Sequence, residues 1–115
     1  MTPEQANLVE RVRTVLASER VVRETSMFGA RSFMVNEKMV VSALKGGGLL
    51  IRVDAGRHDE LLSRPGSAQA EMGAGRTMGP GWIEVAADAI KDDEQLTAWV
   101  GIAMEHNRVL TGSGG

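Results

Sequence analysis

The sequence predicts an α+β fold in which helices pack against an antiparallel sheet of five to six strands. Apolar residues near both ends of the chain recur every three to four positions, as in amphipathic helices. Between positions 21 and 53 the apolar period moves towards two and β-branched residues become frequent. The connections between these strand segments are too short for the crossovers that parallel strands need, so we expect antiparallel pairing.

The first predicted element is a helix over residues 3–18. Thr2 can cap its amino end, and Gln5 stands three residues after this cap. Pro3 suits the first helical position, where its missing N–H is harmless. The apolar face of this helix is formed by Leu8, Val12, Val15 and Leu16.

Four strands joined by short turns are expected next. They cover residues 21–28, 31–35, 39–44 and 49–53. Gly29 marks a bend or bulge, at a positive φ angle or where another backbone comes close. Asn36 and Glu37 suit a tight turn, and residues 45–48 form a glycine-rich hairpin loop.

The second half of the chain predicts two helices and two strands. A helix capped by Asp54 contains residues 58–62 and stops before Pro65. A short strand near residues 70–72, a glycine-rich loop and a strand over residues 82–85 follow. Asp92 and Gln95 begin the longest helix, whose expected buried face is Leu96, Trp99, Val100, Ala103, Asn107 and Leu110. The order is α-β-β-β-β-α-β-β-α, with one domain over residues 1–110 and a flexible tail over residues 111–115.

Methionines make up much of the large apolar volume, since the chain has seven of them but only two phenylalanines. Methionine-rich surfaces can bind varied partners, but with so few aromatic residues we expect these side chains to fill the core. The four assigned to the core are Met27, Met34, Met39 and Met104. Trp82 and Trp99 are expected to have a structural role under the last helix.

Composition and charge narrow the class of protein. The formal net charge of −2 argues against a dominant phosphate-binding face, so nucleic acid is not the favoured partner. The absence of cysteine leaves out disulfides and thiolate metal sites, and it fits a reducing compartment. Neither a signal peptide nor a run of roughly 20 apolar residues is present, so we expect a cytoplasmic domain without membrane contact.

No set of residues points to catalysis, a metal or a cofactor. His58 and His106 are the only histidines, and they fall on different predicted helices without nearby carboxylates of metal-ligand type. The stretch from Gly73 to Gly79 lacks the lysine of a phosphate-binding loop and leads into a strand instead of a helix. We therefore predict a protein that is not an enzyme, with a glycine-rich stretch that connects strands.

Basic residues provide the candidate interaction surface. Seven of them can collect along the sheet or near one end of it, namely Arg31, Lys38, Lys45, Arg52, Arg57, Arg64 and Arg76. Aromatic residues for base stacking are nearly absent among them, and a solvated surface is the simpler interpretation. The candidate surface for an interaction or an anionic ligand consists of Arg31, Lys38, Arg52 and Arg76.

Five segments, taken in order, resemble the TfoX N-terminal domain family. They are Ser26-Met-Phe-Gly29, Phe33-Met-Val-Asn36, Gly48-Leu-Leu-Ile-Arg-Val-Asp54, Arg64-Pro-Gly66 and Gly81-Trp82. The resemblance covers roughly residues 12–110, and its structural motif residues are Met27, Phe28, Gly29, Phe33, Gly81 and Trp82. This chain has Ala30 where the family often has a second glycine, and Glu37-Lys38 where it often has Gly-Lys.

The resemblance implies a two-layer α+β fold similar to those of type III secretion chaperones and YjbR-like domains. It also implies a non-enzymatic regulatory or protein-interaction domain, of a type linked to transcription or competence regulation. The family's known competence regulators carry a helical C-terminal domain as well. We expect this chain to be a single-domain member that ends before such a domain.

Two alternatives to a protein-interaction role remain open. One is a small anionic-ligand-binding protein or enzyme that uses Arg52, Arg76 and the glycine-rich loop over residues 73–81. The other is a DNA-binding module. We also expect a homodimer that buries at least about 1,000 Å² in total, because few prolines are present to protect the sheet edges.

Overall fold

The computed structural model describes residues 1–27, 29–73 and 75–112, and within them it has three α-helices and eight β-strands. The helices are α1 (Pro3–Val15), α2 (His58–Leu62) and α3 (Asp93–Thr111). The strands are β1 (Val22–Met27), β2 (Ala30–Val35), β3 (Lys38–Ala43), β4 (Leu49–Arg52), β5 (Ser67–Gln69), β6 (Glu71–Gly73), β7 (Arg76–Thr77) and β8 (Trp82–Val85). Short 3₁₀ turns cover Ala55–Arg57 and Ala87–Ile90.

Six strands form one sheet in the order β1-β2-β3-β4-β8-β5, and every neighbouring pair is antiparallel. The α+β class and the antiparallel sheet are therefore confirmed. The last strand in sequence, β8, lies between β4 and β5. Strands β6 and β7 pair only with each other and form a separate two-stranded ribbon.

Two of the three predicted helix caps are confirmed. Asp54 instead caps the 3₁₀ turn Ala55–Arg57, by accepting from the Gly56 N–H at 2.8 Å, and α2 itself has no side-chain cap. The Thr2 hydroxyl accepts a hydrogen bond from the Gln5 N–H at 3.2 Å. At α3 the Asp92 carboxylate accepts from the Gln95 N–H at 2.7 Å, and the Gln95 side chain accepts from the Asp92 N–H at 3.3 Å. Helix α1 ends at Val15, earlier than predicted, because the chain tightens after it into i→i+3 hydrogen bonds such as that from Ala17 to Thr14.

The core lies on one side of the sheet. Alternate residues of the inner strands point to this side and are fully buried, namely Phe33, Val35, Val41, Ala43, Leu49, Ile51, Ile83 and Val85. The buried residues of all three helices belong to the same cluster, including Leu8 of α1, Leu61 of α2 and Val100 of α3. All three helices therefore cover the same face, which we call the helix face.

A β-bulge between β2 and β3 adjusts this alternation. Phe33 pairs with Val41 but Met34 pairs with Met39, so Val40 is an extra residue in β3. Val40 and Val41 are both buried in the core as a result. The bulge turns Met39 away from the core, so that it shares the opposite side of the sheet with Met34.

A buried glutamine fixes the amino end of α1 over the bend between β1 and β2. Gln5 is 2% exposed, and its Nε2 donates to the Gly29 carbonyl and to the Ala43 carbonyl, both at 2.9 Å. Gly29 has φ +81°, which confirms the predicted special conformation. A Cβ at this position would also lie 2.4 Å from the Lys45 Cε atom.

Several predicted details are wrong. Met27 is 43% exposed and not in the core, because it ends the edge strand β1, and Leu110 is 41% exposed near the end of α3. The strand expected near residues 70–72 is displaced, since Ser67–Gln69 joins the sheet and Glu71–Gly73 belongs to the ribbon. The motif residue Phe28 and most of the expected tail, residues 113–115, lie outside the described residues.

Candidate functional site

The second face of the sheet, the outer face, is built from the residues that alternate with the core. Directly opposed pairs on this face are Ser32 with Ser42, Met34 with Met39, and Leu50 with Glu84. No helix in the described part of the chain packs there, since the buried helix residues all belong to the core on the helix face. The outer face is therefore the larger sheet surface available for contact with another molecule.

Apolar side chains on the outer face are partly accessible. Met34, Met39, Leu50 and Trp82 are each of intermediate exposure. Between them, the Ser32 and Ser42 hydroxyls hydrogen-bond to each other at 2.7 Å, and both residues are 2% exposed. The outer face thus combines a pair of serines that hydrogen-bond to each other with apolar side chains that are partly exposed to solvent.

Arg52 is held on the outer face by an aromatic ring. It stands opposite Trp82 in the pairing of β4 with β8, and its Cζ atom lies 5.4 Å from the centroid of the Trp82 ring. None of the ion pairs within the described residues includes Arg52. Its guanidinium is therefore positioned and still able to bind a carboxylate.

The four predicted surface residues do not form one cluster. Arg31 and Lys38 lie at opposite ends of the β2–β3 pairing, about 14 Å apart along the strands. Arg52 is on the outer face, whereas Arg31 stands opposite the buried Ala43 and belongs to the helix face. Arg76 is exposed on the ribbon strand β7. Of the four residues, only Arg52 contributes to the outer face.

Arg31 belongs to a charge network beside α1. The Glu24 carboxylate accepts from Arg13 through Nε at 2.6 Å and Nη2 at 2.8 Å, and from Arg31 Nη1 at 2.9 Å. The hydrogen bonds from Arg13 are the main reason that the pKa of Glu24 is lowered, and Arg31 adds to the effect. This carboxylate therefore stays ionised and ties α1 to the edge of the sheet.

A cavity of about 570 Å³ opens next to this network. Arg31, Lys45 and Ser26 line it, together with the amino end of α1. Lys45 forms none of the ion pairs found within the described residues, but the Arg31 guanidinium is already bound to Glu24. The cavity is an open depression in which the Lys45 ammonium is outside the ion pairs of the described residues.

The histidine His58 has a structural role. It is 7% exposed, its Nδ1 accepts from the Gly81 N–H at 2.9 Å, and its Nε2 donates to the Gln69 Oε1 at 2.7 Å. Both ring nitrogens are thus used to join α2 to β5 and to the start of β8. His106 lies elsewhere, on α3, where burial is the main cause of its lowered pKa. Within the described residues no three potential metal ligands come together.

The glycine-rich loop contains one glycine that the fold requires. Gly81 has φ +92°, and a Cβ there would lie 2.8 Å from the Val53 carbonyl oxygen. This close approach places β8 against the end of β4 and explains Gly81 as a motif residue. Gly75 and Gly79 also have positive φ angles, but a Cβ on either would meet nothing within 4 Å. Ala74, between β6 and β7, lies outside the described residues.

The basic residues expected near one end of the sheet are mostly engaged. Arg57 lies 3.1 Å from Glu60 and 3.6 Å from Glu105, and its hydrogen bond with Glu60 is the main reason that its pKa is raised. The Arg64 Cζ atom lies 5.6 Å from the centroid of the Trp99 ring. Arg76, the third residue of this group, is exposed on β7, and Lys38, which was expected along the sheet, is exposed at the start of β3.

The sequence reasoning missed the outer face. It assigned Met34 and Met39 to the core and Trp82 to a cluster under the last helix, whereas all three lie on the outer face. Strict alternation along β4 and β8 indicates that Leu50, Arg52 and Trp82 share a face, but only if these strands are known to be neighbours. In β3 the β-bulge at Val40 interrupts the alternation, so the sequence pattern does not show that Met39 lies on the outer face.

One comparison with known proteins gives a match. A family model described as the TfoX N-terminal domain matches residues 14–107. No curated protein and no solved structure matches the chain. Within the described residues, no helix is long and apolar enough to cross a bilayer.

Proposed function

This chain belongs to the TfoX N-terminal domain family, and on that basis we propose that it is a non-enzymatic regulatory domain that binds another protein. The outer sheet face is the proposed binding surface, and its occupant is an apolar segment of the partner that carries a carboxylate. Family membership alone supports the link to transcription or competence regulation. The lack of cysteine is consistent with this role in the cytoplasm.

One observation carries the proposal, namely the Arg52–Trp82 pair beside partly exposed apolar side chains of the outer face. Trp82, Leu50 and Met39 supply partly exposed apolar area that a partner can bury. Tryptophan and arginine are enriched among the residues that dominate binding energy at interfaces. Because Trp82 orients the Arg52 guanidinium in advance, less side-chain entropy is lost when a carboxylate binds.

Other features support a binding role in place of catalysis. The buried histidine His58 has both ring nitrogens engaged in the hydrogen bonds that hold Gly81 and Gln69. The guanidinium of Arg31 and that of Arg57 are bound to carboxylates. These groups stabilise the fold and are not available to a substrate.

The test is a selection of displayed random peptides on the wild-type domain, with binding of each selected peptide then measured to purified variants. We expect enrichment of apolar peptides with one Asp or Glu. Trp82→Ala should weaken their binding at least about tenfold, as expected for a central aromatic anchor. Arg52→Ala should weaken the acidic peptides more than versions in which Asp or Glu is replaced by Asn or Gln.

Arg76→Ala is the matched control, since it removes the same type of charge from the ribbon and should leave binding unchanged. Backbone amide shifts of the domain on peptide addition should concentrate on β3, β4 and β8. Selected peptides that bind the Trp82→Ala and Arg52→Ala variants as well as the wild type would refute the proposed surface. So would a selection that enriches no peptide above background.

A further inference from the structure

The strand β1 forms the longer of the two edges of the sheet. It pairs only with β2, over six residues and without a shift in register. Its sequence from Val22 to Met27 contains no proline, and the opposite edge strand β5 has only three residues. Edge strands are commonly protected by prolines, bulges, short length, charged side chains or a covering element. Within the described residues β1 has none of the first three.

Apolar side chains are exposed along and beside this edge. Val22 and Met27, at the two ends of β1, are 38% and 43% exposed, and the preceding Val21 is 48% exposed. They account for three of the six exposed large apolar residues in the described part of the chain. The concentration of such residues at one strand indicates a surface that is buried in an assembly.

We propose that two copies of this chain pair through β1, antiparallel around a two-fold axis, so that their two sheets become one. The occupant of the edge is therefore a second copy of the chain. This inference is independent of the outer face and adds an oligomeric state to the proposed function.

The hydrogen bonds of β1 define which residues can pair. The Asn36 N–H donates to the Val21 carbonyl at 3.0 Å, so the polar backbone groups of Val21 point towards β2. These groups alternate in direction along an antiparallel strand. The backbone N–H and C=O groups of Val22, Glu24 and Ser26 consequently point to the free edge and are available to a partner strand.

The charges disfavour two of the possible registers, and the register that we propose has its axis at Thr25. A two-fold axis between antiparallel strands places one residue opposite its own copy. An axis at Arg23 or Glu24 would oppose like charges, which is unfavourable. An axis at Thr25 places Thr25 opposite Thr25 of the partner subunit, Glu24 opposite the partner's Ser26, and Arg23 opposite the partner's Met27. In this register the Glu24 and Ser26 backbones exchange hydrogen bonds across the interface.

Neighbouring elements enlarge the contact beyond the two strands. Arg13 of α1 reaches Glu24 of β1, so α1 lies beside the edge, and its exposed face can approach the same helix of the second copy. The pairing leaves both outer faces open and side by side on a sheet of twice the width. A partner with two suitable segments could then bind both copies at once, with higher overall affinity than one segment gives.

Single cysteine variants provide the test, because the natural chain has no cysteine. In the proposed register Thr25 and its copy form a pair without hydrogen bonds between them, with Cα atoms about 4.5 Å apart, within the range for a disulfide. We expect Thr25→Cys to form a covalent dimer under mild oxidation. Arg23→Cys and Met27→Cys should not crosslink when each is alone but should do so when mixed.

Leu50→Cys on the outer face is the control that distinguishes this dimer from one formed through the sheet faces. Ser26→Pro provides a second readout, because it removes an N–H that faces the free edge and not a bond to β2. We expect the wild type to have the mass of two chains at micromolar concentration by light scattering, and the Ser26→Pro variant that of one.

A wild-type mass of one chain across a hundredfold dilution would overturn the proposal. Crosslinking of Leu50→Cys but not of Thr25→Cys would overturn it too. Peptide binding to the outer face needs no dimer, so a monomeric wild type that still binds the selected peptides would refute only the pairing. Loss of peptide binding with an intact dimer would refute only the proposed function.

Discussion

The side-chain amide of Asn107 donates a buried hydrogen bond of 2.9 Å to the main-chain carbonyl of Val35. These residues are 72 positions apart, and they join the last helix to the end of β2. Asn107 is 2% exposed, so the bond is shielded from water on the helix face of the sheet. The carboxyl-terminal part of α3 is therefore fixed by a directional contact in addition to apolar packing.

Asn107→Ala should destabilise the protein by about 0.5–1.5 kcal/mol, because it removes a buried hydrogen bond to the Val35 carbonyl. Urea denaturation followed by tryptophan fluorescence measures the change. Val109→Ala in the same helix is the control, since Val109 is 79% exposed and its truncation should stay within about 0.5 kcal/mol of wild type. Equal stability of the two variants would contradict a structural role for this bond.

Gly29→Val should destabilise the fold by about 1–3 kcal/mol. The main reason is the positive φ of +81°, which a β-branched residue rarely adopts. Contact with Lys45 contributes less, because the atoms nearest to an added Cβ belong to the mobile end of that side chain. Gly46→Val is the control, since a Cβ at Gly46 meets nothing within 4 Å. An unchanged denaturation midpoint for Gly29→Val would refute the argument.

Glu37→Gly should stabilise the protein, by up to about 1 kcal/mol. Asn36 and Glu37 both have positive φ, at 53° and 69°, and glycine adopts this conformation without the strain of a Cβ. The gain is reduced by loss of the exposed Arg23–Glu37 ion pair at 2.7 Å. The same substitution in an Arg23→Ala background separates the two effects and should give the larger gain. Destabilisation in that background would contradict the prediction.

Glu24→Gln should reduce stability at neutral pH but have a smaller effect in acid. The hydrogen bonds from Arg13, with those from Arg31, lower the pKa of Glu24 in the folded protein. The resulting stabilisation is fully present above the carboxyl's pKa in the unfolded chain, about 4.3, and is lost as the pH falls through the lower folded value. Denaturation of both proteins at pH 7 and at pH 3 measures this. An equal difference at the two pH values would contradict it.

The elements with strong local signals were predictable from sequence. The cap formed by Asp92 and Gln95 places the start of α3, and the glycine-rich loop before Leu49 places the β3–β4 hairpin. The strand β5 was misplaced because Ser67 and its neighbours have neither alternation nor β-branched residues. Its position depends on pairing with β8, which a local pattern does not reveal.

The outer face required knowledge of the sheet order. Arg52 and Trp82 are far apart in sequence, and they meet only because β8 is inserted beside β4. The four basic residues chosen from sequence share a charge but not a position, since Arg31 and Lys38 lie at opposite ends of one strand pair. The exposure of Leu110 was not predicted for a related reason. The helical spacing of apolar residues includes Leu110, but the spacing does not show where the packing of α3 on the sheet ends.

The placement of β8 between β4 and β5 has a consequence for synthesis on the ribosome. Strands β1 to β4 are consecutive hairpins and can form as soon as they emerge, but the second edge of β4 stays open until the chain has reached Val85. The apolar side of that meander is covered only in part, by α1 and α2, until α3 has been made. We therefore expect the nascent chain to expose apolar surface of the incomplete sheet until the residues of α3 have been made.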